Sequence, residues 1–527
     1  MPEKVGDIMV ADLDRKVQSR GPAAVPDIAS GSNRQRRRHC FRQGMFRDGD
    51  YSAENKELTT RPDNWQSSSL HPIPKSAINI DMSSQRVIII PPARLLAGLF
   101  AGLCLAGAGL LMIPAATHNG ISFVDALFTA TSATCVTGLM TMDMGADFTM
   151  FGQLVILGLI QVGGLGIMTF STFFLVLLGQ PLSMRDSSLM AEKFDHRHAM
   201  AVRDVLKNVM ILTLTLEAAG AMALFITWYP EMGGRQAAFY AIFHAVSAFC
   251  NAGISLFPGS LSSHANSATV NIVVMILIMA GSLGFLTIVE LYTLSTRGEG
   301  KRIRMSLNCK LILTVTFVLT VVSTLFIYGM ERHGAMAGMT NPEAAMASLF
   351  QAVTRTAGFT TVDIEQFSNG SLFMYILLML VGAAPGSVGG GVKVTTFGIL
   401  IALAAARFAS REKVHIFGKT IPEGVVSRVY MVVFFSAQFV VVFSMLLFIT
   451  EAAGQEKFLA ILFEAVSAFG TVGLSLGITA ALSVQGKILV TLLMLIGRLG
   501  PLAVTMAVGG KKSKAEFQYA EESVMVG

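Results

Sequence analysis

Charge is what this chain has least of. Asp, Glu, Lys and Arg make up 14% of its 527 residues, against roughly 25% in soluble domains. With 53% hydrophobic residues and a mean hydropathy of +0.60, it cannot cover a water-facing surface of its size. A soluble globular protein is excluded, and apolar runs of about 20 residues point to an integral membrane protein. Tryptophan is nearly absent, at two residues, so an interfacial aromatic belt would rest on Tyr and Phe. The five cysteines are Cys40, Cys104, Cys135, Cys250 and Cys309. None forms a CxxC or a metal-like cluster, which excludes a disulfide framework and a zinc site. Prolines are few (16) and glycines many (50), as in close-packed spanning helices. No phosphate-binding loop or nucleophile–base set is present, so neither an enzyme nor a bound cofactor is expected. The net charge of +6 is explained by basic cytoplasmic loops, with no nucleic-acid partner.

What is present is a repeat. Phe243–Ile254 reads FHAVSAFCNAGI and Phe463–Leu474 reads FEAVSAFGTVGL; weaker copies are FTATSATCVTGL at Phe128–Leu139 and FQAVTRTAGF at Phe350–Phe359. Their glycines, Gly138, Gly253, Gly358 and Gly473, lie 115, 105 and 115 residues apart. A near-constant long period means internal duplication. In three copies a Phe precedes the glycine by ten residues, and in the third by eight, so that copy is shorter. Each short apolar helix sits between two longer runs. The predicted fold is all-α and membrane-integral, with four pseudo-symmetric span–pore helix–span repeats around one central pore. That gives eight transmembrane helices and four re-entrant loops.

The predicted divisions are a polar cytoplasmic tail at 1–86, repeats at 87–180, 181–297, 298–410 and 411–510, and a short tail at 511–527. The first span is expected to include Val87–Ile90, interrupted by Pro91 and Pro92. The N-terminal tail carries Arg34, Arg36, Arg37 and Arg38; it is expected to be a disordered cytoplasmic tail that helps hold orientation, the sharper alternative being a contact for anionic lipid or a regulatory partner. Residues 117–149 contain no Lys or Arg, whereas the connections between repeats are basic: Arg185, Lys193, Arg197, Arg203 and Lys207; Arg297, Lys301, Arg302 and Arg304; Arg407, Arg411, Lys413 and Lys419. By the positive-inside rule these connections and both termini are cytoplasmic. All four short helices then enter from outside.

Non-helical backbone at membrane depth is tolerated only where protein buries it or it lines a wet cavity. Four such turns converging on one axis can offer carbonyls that replace a cation's hydration shell. Glycine accepts φ > 0 there, and each short helix points its negative end inward. No carboxylate closely follows the glycine in all four loops, which favours a carbonyl filter over an acidic ring.

TCVTG, FCNAG, TRTAG and GTVG, each in a span–short helix–span unit, resemble the Ktr/Trk/HKT superfamily of potassium transporters. The likeness covers about 87–510. The lack of an additional N-terminal pair of spans and the GRLGP near the end make the Ktr membrane subunit (KtrB-like) the nearest match. The resemblance implies an ion-binding filter at Thr134, Cys135, Val136, Thr137 and Gly138; Cys250, Asn251, Ala252 and Gly253; Thr356, Ala357 and Gly358; and Gly470, Thr471, Val472 and Gly473. It implies potassium at their backbone carbonyls. In the family a glycine in the first loop marks potassium preference and a serine marks sodium preference, so Gly138 indicates potassium. The resemblance also implies a homodimer in a lipid membrane, resting on a cytoplasmic nucleotide-binding ring of KtrA-like subunits.

Gly386, Ser387, Val388, Gly389, Gly390 and Gly391 fall within the second span of repeat three. Consecutive glycines cost about 1 kcal/mol each in a helix, so this span is predicted to break; the other second spans contain nothing so extreme. The resemblance makes the break an intramembrane gating loop, with Lys393 facing the cavity or the cytoplasmic mouth. Arg498 lies inside the last span, where an ionised side chain is a functional candidate. In the family the matching arginine is a barrier coupled to the gating loop. Arg355 is expected to brace a pore-helix acid such as Glu464 or Asp125, and His244 to be packed and hydrogen-bonded. Glu217 and Glu290 are left without assigned partners. The predicted function is potassium uptake, with sodium coupling left open. The alternatives are a sodium-permeable or poorly selective cation transporter of the same fold, or an alternating-access carrier.

Overall fold

The structure is a computed structural model that describes residues 92–177, 202–296, 305–451 and 457–501. The tail 1–86, Val87–Ile90, most of the first basic connection, Arg297, Lys301, Arg302, Arg304 and the tail 511–527 lie outside these residues. The described residues belong to one compact unit running from Arg86 to Gly527.

Apart from a hairpin of two-residue strands, His415–Ile416 and Lys419–Thr420, the regular structure among the described residues is helical. Repeat one has α1 (Pro92–Leu111), α2 (Phe123–Thr134) and α3 (Met150–Leu177); repeat two has α4 (Val202–Met232), α5 (Gly234–Phe249), α6 (Ala268–Leu283) and α7 (Phe285–Thr296). Repeat three has α8 (Leu307–Glu331), α9 (Asn341–Thr354), α10 (Asn369–Leu380) and α11 (Val394–Phe408); repeat four has α12 (Glu423–Thr450), α13 (Phe458–Gly470) and α14 (Val484–Leu499). Helix starts follow local chemistry. Pro92 opens α1, where a missing N–H costs nothing. Ser122, Ser267, Ser306, Ser368 and Ser483 cap their helices through the side-chain oxygen. Thr340 and Glu343 form a reciprocal capping box at α9.

The first helix of each repeat is long and apolar enough to cross a membrane: Arg94–Leu111, Lys207–Met232, Leu307–Glu331 and Glu423–Thr450. Only 22–28% of each is buried, and Ile226, Phe317, Leu325 and Ile449 are exposed. An apolar surface of that extent needs lipid over it. The short helices are the reverse. Phe128, Phe243, Phe350 and Phe463, the repeated phenylalanines, are fully buried, so the short helices lie in the core.

The second helices depart from expectation. The α6–α7 pair is bent by 102° at Gly284, whose φ is +79°. Repeat three splits into α10 and α11 around residues 381–393, and α14 closes on Gly500 at φ +86°. The break in repeat three falls where the glycine run marked it, and the bend in repeat two is a further break that no such run announced. Gly284 bends because the repeat-three loop packs onto it, with the Gly386 backbone 3.1 Å from where a Cβ would stand. Among the described residues, four helices, or five with the bent pair, have the length and composition of a span.

Glu carboxylates tie the helices together. Glu331 accepts from Ser368 N (3.1 Å) and Oγ (2.7 Å), and Glu451 accepts from Ser483 N (3.1 Å) and Oγ (2.7 Å). Each joins the end of a repeat's first helix to the start of its second. Glu290 accepts from Ser306 N (2.5 Å) and Oγ (2.8 Å), joining repeat two to repeat three and supplying the partner the sequence left unassigned.

Candidate functional site

Three of the four short helices, those of repeats one, two and four, end in a turn built by one hydrogen-bond pattern. Thr137 N, Ala252 N and Val472 N donate to the carbonyls of Ser132, Ser247 and Ser467 at 2.7–2.9 Å. Gly138 N and Gly473 N donate to the hydroxyls of Ser132 and Ser467. Holding the chain this tightly puts two residues per loop at positive φ. The second is the glycine: Gly138 at +102°, Gly253 at +67°, Gly473 at +94°. The first, two residues earlier, is Val136 (+54°), Asn251 (+58°) or Thr471 (+50°). Left-handed backbone is uncommon for non-glycine residues and an outlier for branched ones. Loop three lacks this first position. There Gly358, at φ +73°, bonds back to Thr354 O, which is how the shorter copy closes.

The four turns meet in a ring. A Cβ on Gly138 would overlap Ala252 O; on Gly253, Ala357 O; on Gly358, Val472 O; and on Gly473, Thr137 O. Each glycine thus packs on the carbonyl of the residue before the next glycine, and the fourth returns to the first. Of the predicted filter residues, all lie in these turns, and Thr134, Cys135, Thr137, Cys250, Asn251, Ala252, Ala357, Thr471 and Val472 are buried. The Cys250 side chain is enclosed by Gly164, and its Sγ lies 3.9 Å from Glu217 Oε1. Glu217 also accepts from Gln161 Nε2 at 3.1 Å.

Residues that follow the glycines line a cavity of about 520 Å³ together with Asp143, Asp363 and Glu365, and among the described residues no Lys or Arg lines it. Such a mouth attracts cations. On the other side, residues that precede the glycines meet the loop 381–393. Gly390 N donates to Thr471 Oγ1 at 2.9 Å. Ala384 N and Val388 N donate to Ser282 O (3.0 Å) and Gly281 O (3.3 Å) of α6. Ser387 Oγ donates to Ala384 O and Lys393 Nζ to Gly389 O, each at 2.5 Å. Gly386 (+79°) and Gly391 (+66°) provide its left-handed turns. A Cβ on Gly389 would meet the Ala383 methyl at 2.7 Å.

Arg498 is 5% exposed. Its Nη1 donates to Val388 O of this loop, and its Nη2 donates to Gly163 O of α3 at 2.5 Å. Arg355 behaves differently from expectation. It donates to Val381 O, where the broken span leaves a carbonyl without a helical partner, and pairs with neither acid named for it. Glu464 is occupied by Ser475 and Thr479, and Asp125 by Ser122 and Lys487.

One repeated signal went unread in the sequence. GGLG at 163–166, GSLG at 281–284 and GRLG at 497–500 lie 24–28 residues beyond a turn glycine. A Cβ on Gly163, Gly281 or Gly497 would overlap the carbonyl of Thr134, Phe249 or Phe469, the last turn of that repeat's short helix. These glycines let the second helix of repeats one, two and four close on the end of that repeat's short helix. Arg498 occupies the motif's second position, held elsewhere by Gly164 and Ser282.

Comparison with known proteins agrees with this geometry. The family model described as "TrkH: Cation transport protein" matches residues 104–516. Ktr system potassium uptake protein B of Bacillus subtilis is 36% identical over 83% of this chain and 97% of its own length. Potassium/sodium uptake protein NtpJ of Enterococcus hirae is 35% identical over 83% and 98%. The solved potassium transporter TrkH from Vibrio parahaemolyticus superposes with a TM-score of 0.64 at 19% identity, covering 81% of this chain and 86% of that one. The chain belongs to the TrkH family of membrane cation transport proteins.

Proposed function

We propose that this chain carries potassium into the cell through a pore whose selective constriction is the ring of four glycine turns. The observation that carries the reading is the closed order of that ring, each glycine seated on the next loop's carbonyl. Carbonyls fixed in that order can replace water around a monovalent cation, and a neutral ring suits potassium better than a divalent ion. The acidic outer cavity supports entry from the outside. The ion-binding residues are those of the four turns, Thr134–Gly138, Cys250–Gly253, Thr356–Gly358 and Gly470–Gly473. The name of the B. subtilis relative supports potassium uptake; that of the E. hirae relative makes sodium a second permeant ion to test.

The gate in this reading is the loop Gly386–Gly391 with Lys393, held shut by Arg498. The full architecture is four span–pore helix–span repeats, divided at 180, 297 and 410, between cytoplasmic tails at 1–86 and 511–527. Assembly as a homodimer on a cytoplasmic nucleotide-binding ring is part of the same proposal and follows from family resemblance.

The test is growth of a potassium-uptake-deficient host on low potassium with wild type and Gly253→Ser. A side chain at φ +67°, driven against Ala357 O, is expected to abolish rescue or turn the protein toward sodium. Equal rescue by both forms refutes the filter.

A further inference from the structure

One position recurs in the four repeats and is filled differently each time. The residue after the buried phenylalanine of each short helix is Thr129, His244, Gln351 or Glu464. All four are fully buried and polar. A polar group placed there by chance would be unsatisfied and costly. Three of the four instead reach the chain just beyond the turn glycine.

In repeat two, His244 Nδ1 donates to Tyr240 O at 2.8 Å. Its Nε2 accepts from Leu256 N at 3.3 Å and lies 3.0 Å from Ser255 Oγ. The Leu256 N–H fixes the neutral tautomer with the proton on Nδ1. In repeat three, Gln351 Nε2 donates to Thr360 Oγ1 at 2.7 Å, while Tyr375 OH donates to Gln351 O and Oε1 at 2.7 and 3.1 Å. In repeat four, Glu464 accepts from Ser475 Oγ at 2.8 Å and from Thr479 Oγ1 at 2.5 Å. Ser255, Thr360 and Ser475 stand two residues beyond Gly253, Gly358 and Gly473. Repeat one has Met140 at that place, and the Thr129 hydroxyl has no partner.

We infer that His244, Gln351 and Glu464 are positioning residues for ion selection, forming a buried polar cuff that anchors the chain leaving the filter in three of its four quarters. None of the three contacts the ion. Each pins a hydroxyl two residues from the carbonyl-bearing glycine, which limits how far that carbonyl can move inward around a smaller cation. A filter held open from behind discriminates potassium from sodium through its rigidity. Different side chains serve because each binds the same hydroxyl, as donor (Gln351) or acceptor (Glu464). The anchor is therefore a geometric requirement and not one of residue type. Repeat one, unanchored, is the compliant quarter. The inference rests on the glycine ring being the filter.

The experiment measures potassium and sodium uptake by the full chain in proteoliposomes, and reads the ratio of the two. Glu464→Ala and Ser475→Ala are each expected to lower the potassium-to-sodium ratio about fivefold, the ~1 kcal/mol of one hydrogen bond. The double variant is expected to be no worse than the poorer single one, because both break the same bond. Glu464→Gln, whose Oε1 still accepts, is expected to recover most of the ratio. Thr129→Ala, which removes no bond, is expected to leave it unchanged. Should Glu464→Ala fail to fold, Ser475→Ala and Thr360→Val read the same anchors from the other side. Unchanged ratios in the hydroxyl variants, or additive losses in the double variant, overturn the inference. Gly253→Ser is run alongside. If it leaves the ratio intact, the filter reading itself fails; if it alone shifts the ratio, only the cuff fails.

Discussion

Replacing Arg498 by alanine is the sharpest test of how flow is controlled. In the structure the guanidinium links three elements: its own helix α14, Val388 in the loop 381–393, and Gly163 on α3. In the proposed gate, the bond to Val388 is the one that must break for the loop to leave the pore. A hydrogen bond to a charged group contributes about 1.5–3 kcal/mol, and 1.4 kcal/mol is about tenfold in an equilibrium. Losing this bond should shift the open-to-closed ratio of the loop roughly ten- to a hundredfold. In the proposed pore the same substitution also removes a positive charge from the ion path, which acts in the same direction. Potassium flux through purified protein in proteoliposomes should therefore rise, with saturation setting the ceiling. Arg498→Lys, which keeps the charge but loses the two-pronged geometry, should fall between. The control is the amount of protein reaching the membrane, since the bond to Gly163 also joins two repeats. Unchanged flux from correctly inserted Arg498→Ala would refute the latch.

Two further outcomes follow from particular contacts. Thr471→Val removes the hydroxyl that accepts from Gly390 N while keeping the branched shape, so it should raise basal flux several-fold, whereas Thr471→Ser should not; equal flux in the two would mean that the loop does not read the filter through this bond. Burial alone would raise the pKa of Asp125, but the Lys487 ammonium at 2.8 Å and the Ser122 hydroxyl outweigh it and hold the carboxyl below its ordinary range. Its stabilisation is thus present above the unfolded carboxylate pKa of about 3.9 and lost as pH falls through the lower folded value. Asp125→Asn should cost about 1 kcal/mol near neutral pH for so partly exposed a pair, and the gap in melting temperature should close on acidification; a constant gap would refute the ion pair's contribution.

What the sequence determined by itself was everything local or periodic. Low charge and apolar runs require a membrane. A 105–115-residue period requires duplication, and Gly138, Gly253, Gly358 and Gly473 were readable because they recur at that period, each at the end of a short apolar helix. The glycine run at 389–391 marked a broken span because consecutive glycines disfavour a helix, and the two-residue contraction before Gly358 was visible by counting. Only the tertiary structure decided which groups meet across repeats. Arg355 was expected to find an acid, yet the break in its own repeat's second helix freed Val381 O closer by. Gly284 bends because a loop more than 100 residues away needs the space. That GGLG, GSLG and GRLG form one recurring motif was not legible, because a small residue facing another helix's carbonyl looks no different in sequence from one facing lipid. The polar residue behind each turn was equally silent. Thr, His, Gln and Glu share no chemistry that a sequence pattern would group, and only a common hydrogen-bond target, set by packing in three dimensions, makes His244, Gln351 and Glu464 one feature.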